Sequence, residues 1–200
     1  MITEGKSLII YVHPYDKSFN HAIYDKILEN HKGGTYSVID LYKDRFNPVY
    51  DVEELALFKN GQTNDPLVKK YQELILLSDE IIIITPIWWN DIPVILKGFF
   101  DKVFKQNFAY VNAKIGVSGK LQHIKKVMVI TTATSQKFYL KFFAGNCIGG
   151  TVKTTFRQVG VNNFKWIHLG NIGKSTPKKR ENFLNHLNVV LLQSFKSTIK

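Results

Sequence analysis

An α/β fold is expected for this chain of 200 residues. It should hold a doubly wound, five-stranded parallel sheet in the order 2-1-3-4-5, with helices on both faces. Three observations point there. Short β-branched or apolar runs alternate with helical patterns along the length. Each connection is long enough for the crossover that parallel strands require. Glu80-Ile81-Ile82-Ile83-Ile84-Thr85 is an unbroken run of the kind found in strands buried on both faces. A single domain over 1–200 is expected, because a chain of this size can bury a good core and no linker, repeat or low-complexity segment divides it.

The first strand is Ser7-Leu8-Ile9-Ile10-Tyr11-Val12, ending at His13-Pro14. After the polar loop Tyr15 to Asn20, Ser18 is a good N-cap for a helix with Ala22, Ile23, Ile27 and Leu28 at helical spacing. Gly33-Gly34 closes that helix. Residues 35–41 alternate as the second strand, and 42–48 form a loop. Glu53 to Phe58 reads as a short helix with Glu53-Glu54 on an exposed face, stopped at Asn60-Gly61. Asp65-Pro66 opens a longer helix, with Leu67, Val68, Tyr71, Leu74, Ile75 and Leu77 turned inward. The isoleucine strand stops at Pro86, which cannot donate to a ladder. Trp88 and Trp89 then stand in a loop, either as a pocket wall or as a plug in the core. A helix runs from about Pro93 to Phe104.

Residues 105–125 read as a long polar loop without structure of its own, a kind that is usually functional or mobile. Lys126 to Thr132 is the fourth strand, followed by Ala133-Thr134-Ser135. A helix over about 147–158 comes after Tyr139, and Phe164 to Leu169 is the fifth strand. Pro177 opens a closing helix with Phe183, Leu184, Leu187, Val190, Leu191 and Phe195 on one face.

Hydrophobic residues make up 44% and charged residues 22%, an ordinary globular balance. The one cysteine, Cys147, excludes a disulfide framework and a thiolate metal cluster, and suits a reducing compartment. It reads as a small core residue. The six histidines show no metal-ligand spacing, so no metal is expected. The N-terminus lacks a signal pattern, and no apolar run approaches the ~18 residues of a membrane span. A cytoplasmic protein with no integral membrane segment is expected. The net charge of +11 comes from scattered lysines with only three arginines, Arg45, Arg157 and Arg180. That favours a solvated lysine surface over a nucleic-acid partner. Lys178-Lys179-Arg180 reads as a solvated helix start.

Strands one, three and four lie side by side in this strand order, with the topological switch point between one and three. Their carboxyl ends carry His13 to Asn20, Pro86 to Asn90, and Thr131 to Tyr139. The first loop offers hydroxyl, amide and helix-terminal N–H groups to a phosphate, although it lacks the glycines of a dinucleotide fingerprint. The second offers an aromatic wall and the third hydrogen-bond donors. Together they suit a flat isoalloxazine ring with an anionic tail.

Several segments carry a family resemblance. They are His13-Pro14 with Ser18-Phe19-Asn20-His21-Ala22, Asp40-Leu41-Tyr42 with Phe46-Asn47-Pro48, and Pro86-Ile87-Trp88-Trp89 with Ile92 to Phe104. Phe108-Ala109-Tyr110, Gly119-Lys120-Leu121 and Thr131-Thr132 with Tyr139 complete the set. On these the chain resembles the NAD(P)H:quinone oxidoreductase family of flavodoxin-like flavoproteins. That family also contains modulator-of-drug-activity proteins and ancillary subunits of potassium-efflux systems. The likeness covers roughly residues 6–170.

The resemblance implies a flavin-dependent NAD(P)H dehydrogenase, usually a homodimer. It would pass hydride from NAD(P)H through the flavin to a quinone or similar small acceptor by a ping-pong, two-electron route. FAD is the implied cofactor, with FMN possible. His13, Lys17, Ser18, Phe19, Asn20 and Ala22 would hold the phosphate and ribityl part. Pro86, Ile87, Trp88, Trp89 and Asn90 would line the ring, and Thr131, Thr132 and Ala133 would sit near its polar edge. Tyr139 would be the catalytic phenol, sharing negative charge on the reduced ring. Tyr110 would cap the pocket from the partner chain, and with Trp89 would meet the substrate.

Four positions depart from the family pattern. Ala133-Thr134 replace glycines and narrow the slot. Gly145 replaces a histidine, which removes a Tyr-His relay. Asn112 replaces a second capping aromatic. An alternative role is a flavin-bearing ancillary subunit of a potassium-efflux transporter with little turnover. A one-electron carrier of flavodoxin type fits less well, since such carriers tend to be acidic.

Overall fold

The computed structural model describes residues 6–197, with side chains described through Leu191. Five strands form one parallel sheet: β1 (Ser7–Tyr11), β2 (Tyr36–Asp40), β3 (Glu80–Pro86), β6 (Lys126–Thr132) and β7 (Phe164–Leu169). Its order is β2-β1-β3-β6-β7, the expected 2-1-3-4-5 arrangement. A separate two-stranded antiparallel piece joins β4 (Tyr110–Asn112) to β5 (Val117–Gly119).

Alternation along each strand divides the core into two layers. Ile9, Ile82 and Met128 lie in register across β1, β3 and β6. With Ile84 and Ile130 they pack against Ile23 and Ile27 of α1 (Phe19–Asn30) and Leu187, Val190 and Leu191 of α7 (Pro177–Ser197). Leu8, Ile10, Ile81, Ile83, Val127 and Val129 join the opposite layer. That layer holds Val68, Tyr71 and Ile75 of α3 (Pro66–Leu76), Leu96, Phe99 and Val103 of α4 (Val94–Val103), and Phe156 of α6 (Lys153–Gln158). Each such aliphatic or aromatic side chain contributes about 1.5–3 kcal/mol of transfer free energy.

Elsewhere the structure corrects the expectations. Residues 105–125 carry the β4–β5 hairpin rather than an unstructured loop. A short helix, α5 (Lys137–Phe142), contains Tyr139, and the helix expected over 147–158 begins as a π-helical turn, Ile148–Val152. Leu77 is exposed: it is the C-cap of α3, and the next inward position after Ile75 falls on buried Ser78, whose hydroxyl donates to the Leu74 carbonyl at 2.6 Å. The closing-helix face is as expected through Leu191, while the Phe195 side chain lies outside the described residues.

Glu54, in α2 (Val52–Ala56), is buried rather than exposed. Its carboxylate takes hydrogen bonds from fully buried Lys105 and from the Thr63 hydroxyl. Burial presses that carboxyl upward, but Lys105, Thr63 and the Asn64 N–H together hold it below its ordinary value. Lys105 also donates to the Gln62 carbonyl at 2.8 Å. Nearby, Lys102 bonds Asp65 and the Asn47 carbonyl, both at 2.9 Å. The stretch 45–65 is thereby fastened to the carboxyl end of α4. Gly98 permits this approach, because a Cβ there would stand 2.3 Å from the Pro48 Cβ.

Candidate functional site

A cleft of about 890 Å³ opens at the carboxyl ends of β1, β3 and β6. Its size suits a cofactor or drug-sized ligand. The first wall comes from the loop after β1. Ser18 has extended backbone angles (φ −75, ψ 158), so its Oγ reaches back to accept the His21 N–H at 3.1 Å and caps α1. No acidic residue sits in the first turn of α1, so its positive end is not neutralised from within the helix.

Asn20 follows, buried and lining the cleft. Its Nδ2 donates to Thr132 Oγ1 at 2.8 Å and ties α1 to β6. Its Oδ1 has no partner among the described residues, although it is shielded from solvent. His13 lines the same wall, accepting the Tyr15 N–H at its Nδ1 and meeting Trp88 edge-on at 5.9 Å between ring centres.

The second wall explains the tryptophan pair. Trp88 and Asp91 exchange backbone hydrogen bonds of 2.9 and 3.0 Å, and both residues between them have positive φ, Trp89 at 49° and Asn90 at 68°. This is the two-residue turn with a mirror-image twist that favours Asn and Gly. A tryptophan there costs about 1–2 kcal/mol, and such strain collects at functional sites. The turn holds Trp89 in solvent, 99% exposed, at the rim of the cleft, with Trp88 half-buried beneath it. The core-plug alternative is excluded. Trp89→Asn is expected to raise unfolding stability by about 1 kcal/mol, read as a shift in denaturant midpoint.

The third wall runs from Thr132 to Ser135 and on to Tyr139 and Leu140 in α5. Thr131 does not line the cleft: in a strand it faces away from Thr132. Its hydroxyl oxygen accepts from Trp166 Nε1 at 2.8 Å and lies 2.7 Å from His168 Nδ1. His168 Nε2 lies 3.0 Å from the Ser135 carbonyl, which can only accept, so Nε2 carries the proton and Nδ1 takes one from Thr131. This chain buttresses the Ser135 loop from behind.

Burial lowers the pKa of both His168 and His13. Above about pH 6.5, the ordinary value, both are neutral folded or unfolded. Below it the unfolded chain takes up protons that the folded chain resists. Their stabilising contribution is therefore whole above that pH and is lost as pH falls through the depressed folded values. Denaturant midpoints measured from pH 7.5 to 5 should fall, and His168→Gln should flatten the slope.

Of the residues marked by sequence, His13, Ser18, Phe19, Asn20, Pro86, Ile87, Trp88, Trp89, Asn90, Thr132, Ala133 and Tyr139 meet at this cleft. Lys17, Ala22 and Thr131 are not on its wall. Tyr110 lies in a second groove of about 440 Å³, with Tyr50, Phe100 and Phe104. Ile172, Ser135 and Leu140 line the cleft without having been marked. Gly145 adopts φ 74°, a left-handed turn that glycine favours. Cys147 is buried as expected, and burial pushes its thiol up to about 11. No cluster of metal-ligating side chains occurs among the described residues.

The family model described as the flavodoxin-like fold matches residues 5–191. The chain belongs to that family. Among its flavodoxin-like relatives is a Haemophilus influenzae protein named "Uncharacterized NAD(P)H oxidoreductase", 29% identical over 178 residues, which are 87% of this chain and 88% of that one. NAD(P)H dehydrogenase [quinone] 1 of Cavia porcellus is 31% identical over 153 residues. That match takes 67% of this chain but 55% of the relative, so the chain spans about half that protein's length. Among solved structures, Smu.1420 from Streptococcus mutans UA159 superposes with a TM-score of 0.81 and 32% identity, over 92% of this chain and 97% of that one. The NAD(P)H:quinone oxidoreductase from Methanothermobacter marburgensis superposes with a TM-score of 0.80 and 26% identity, over 92% and 96%. The family resemblance read from the sequence is borne out.

Proposed function

We propose that this chain is a flavin-dependent NAD(P)H oxidoreductase that reduces a quinone or similar small acceptor. The observation that carries the reading is the convergence of three walls on one cleft at the switch point between β1 and β3. One wall offers a helix N-terminus, one is aromatic and one is rich in hydroxyl groups. The names of the relatives agree with it. The shielded, unpartnered Asn20 Oδ1 fits a ligand that carries hydroxyl or N–H donors, as the ribityl chain and ring of a flavin do.

Bound flavin would supply the two-electron chemistry, accepting hydride from NAD(P)H and passing it on. The chain's own groups would serve it as follows. Ser18, Phe19 and the first N–H groups of α1 would hold the phosphate end. Trp88 and Trp89 would cover the ring and exclude water. Thr132 and Ala133 would meet its polar edge. Tyr139, half-exposed on the cleft wall, would donate its O–H toward negative charge there, without a relay histidine at Gly145. FAD is the proposed flavin, and a cytoplasmic homodimer the proposed state. Tyr110 lies off this cleft in its own chain, so it would reach a bound ligand only from a partner.

The test is steady-state oxidation of NADH and NADPH by the purified protein with menadione as acceptor. Flavin-dependent turnover with parallel-line, ping-pong kinetics is expected. A flavin-loaded protein without turnover would shift the reading to the ancillary-subunit role.

A further inference from the structure

α5, which lends Tyr139 and Leu140 to the cleft wall, also carries an apolar surface that the proposed chemistry does not use. α5 and the residue after it expose Phe138, Phe142 and Phe143 by 65%, 60% and 69%. These rings pack on one another, with Phe138 5.0 Å from Phe142 and 5.7 Å from Phe143. Lys141 stands 4.9 Å over the Phe142 ring. Charge reinforces the pattern. Between Asp101 and Glu181 the sequence has fifteen Lys and Arg, of which Lys102 and Lys105 are buried and ion-paired, and no Asp or Glu, while the remaining residues are net acidic. That basic stretch contains β6, α5 and β7, and so one wall of the cleft. Clustered exposed aromatics are uncommon on soluble surfaces and mark interaction sites.

We propose that this face docks on an anionic lipid bilayer, with the phenylalanine rings entering the headgroup boundary and the surrounding lysines meeting lipid phosphates. Exposed apolar rings beside lysines on a strongly positive surface are the pattern of interfacial membrane binding. The rings pack on one another at tilts of 49° and 56° rather than standing apart to stack between bases, which disfavours single-stranded nucleic acid. No helix among the described residues is long and apolar enough to cross a membrane, so the association is peripheral. It brings α5, and with it one wall of the cleft, close to the lipid surface.

The experiment is co-sedimentation of the full chain with vesicles of phosphatidylcholine alone or with phosphatidylglycerol added, and it needs no redox activity. Binding is expected only with phosphatidylglycerol. Lys141→Gln should weaken it by about fivefold, and Phe142→Ser with Phe143→Ser by at least about tenfold. All three positions are solvent-exposed, and thermal melts should match the parent. No sedimentation with anionic vesicles would overturn the proposal. So would a Phe142→Ser/Phe143→Ser variant that binds like the parent, or one that turns a dimer into monomers by light scattering. Release of the protein from vesicles by equimolar poly(U) would also overturn it.

Discussion

Lys105→Met is expected to lower the free energy of unfolding by about 3–5 kcal/mol, the cost of leaving one member of a buried ion pair alone. Lys105 is fully buried, and its ammonium is enclosed by the Glu54 carboxylate and the Gln62 carbonyl. Glu54 is buried too and also holds the Thr63 hydroxyl and the Asn64 N–H at 3.0 Å. Without the lysine that carboxylate must either stay charged and unpaired or take up a proton. Either outcome loosens α2 and residues 57–65 from α4. The double variant Glu54→Leu/Lys105→Met removes both charges and should recover most of the loss. Chemical denaturation of parent, single and double variants checks this. Equal midpoints for all three would contradict it.

Asn20→Ala is expected to weaken flavin binding by about tenfold to a hundredfold while leaving the fold nearly as stable. A shielded acceptor without a partner costs about 1–3 kcal/mol, which a ligand donor that reaches it can recover. Each 1.4 kcal/mol is about tenfold in affinity. Removing the side chain forfeits the 2.8 Å bond to Thr132 but also removes the unsatisfied Oδ1, so the two effects on stability offset each other. Quenching of flavin fluorescence on titration with protein measures the first effect, and a thermal melt the second. A variant that binds flavin like the parent would show that Asn20 does not meet the ligand.

The sheet was legible because its buried strands are apolar runs between crossovers, and their order follows from topology rather than from side-chain detail. The β4–β5 hairpin was not, because three-residue strands such as Val117–Gly119 leave no periodic signal. α5 was hidden for a related reason: only Leu140 of its six residues is buried, so it shows no apolar stripe. Burial of Glu54 depends on Lys105, 51 residues away, a pairing invisible along the chain. At the site, the three loops were legible because each follows a core strand. Thr131 could have been separated from Thr132, since neighbours in a strand face opposite ways. Ile172 could not, because it reaches the cleft through the turn after β7. The strained Trp89-Asn90 turn is visible only in its backbone angles.

The central claim is that the cleft between Ser18, Trp88 and Thr132 holds a flavin. The most direct measurement is a titration of the purified protein with FAD and with FMN, followed through quenching of tryptophan emission and identification by mass of any flavin released on heating. Saturable, stoichiometric binding of one of them is predicted, with quenching that weakens when Trp88 is replaced by leucine. A protein that releases no flavin and responds to neither titrant would contradict it.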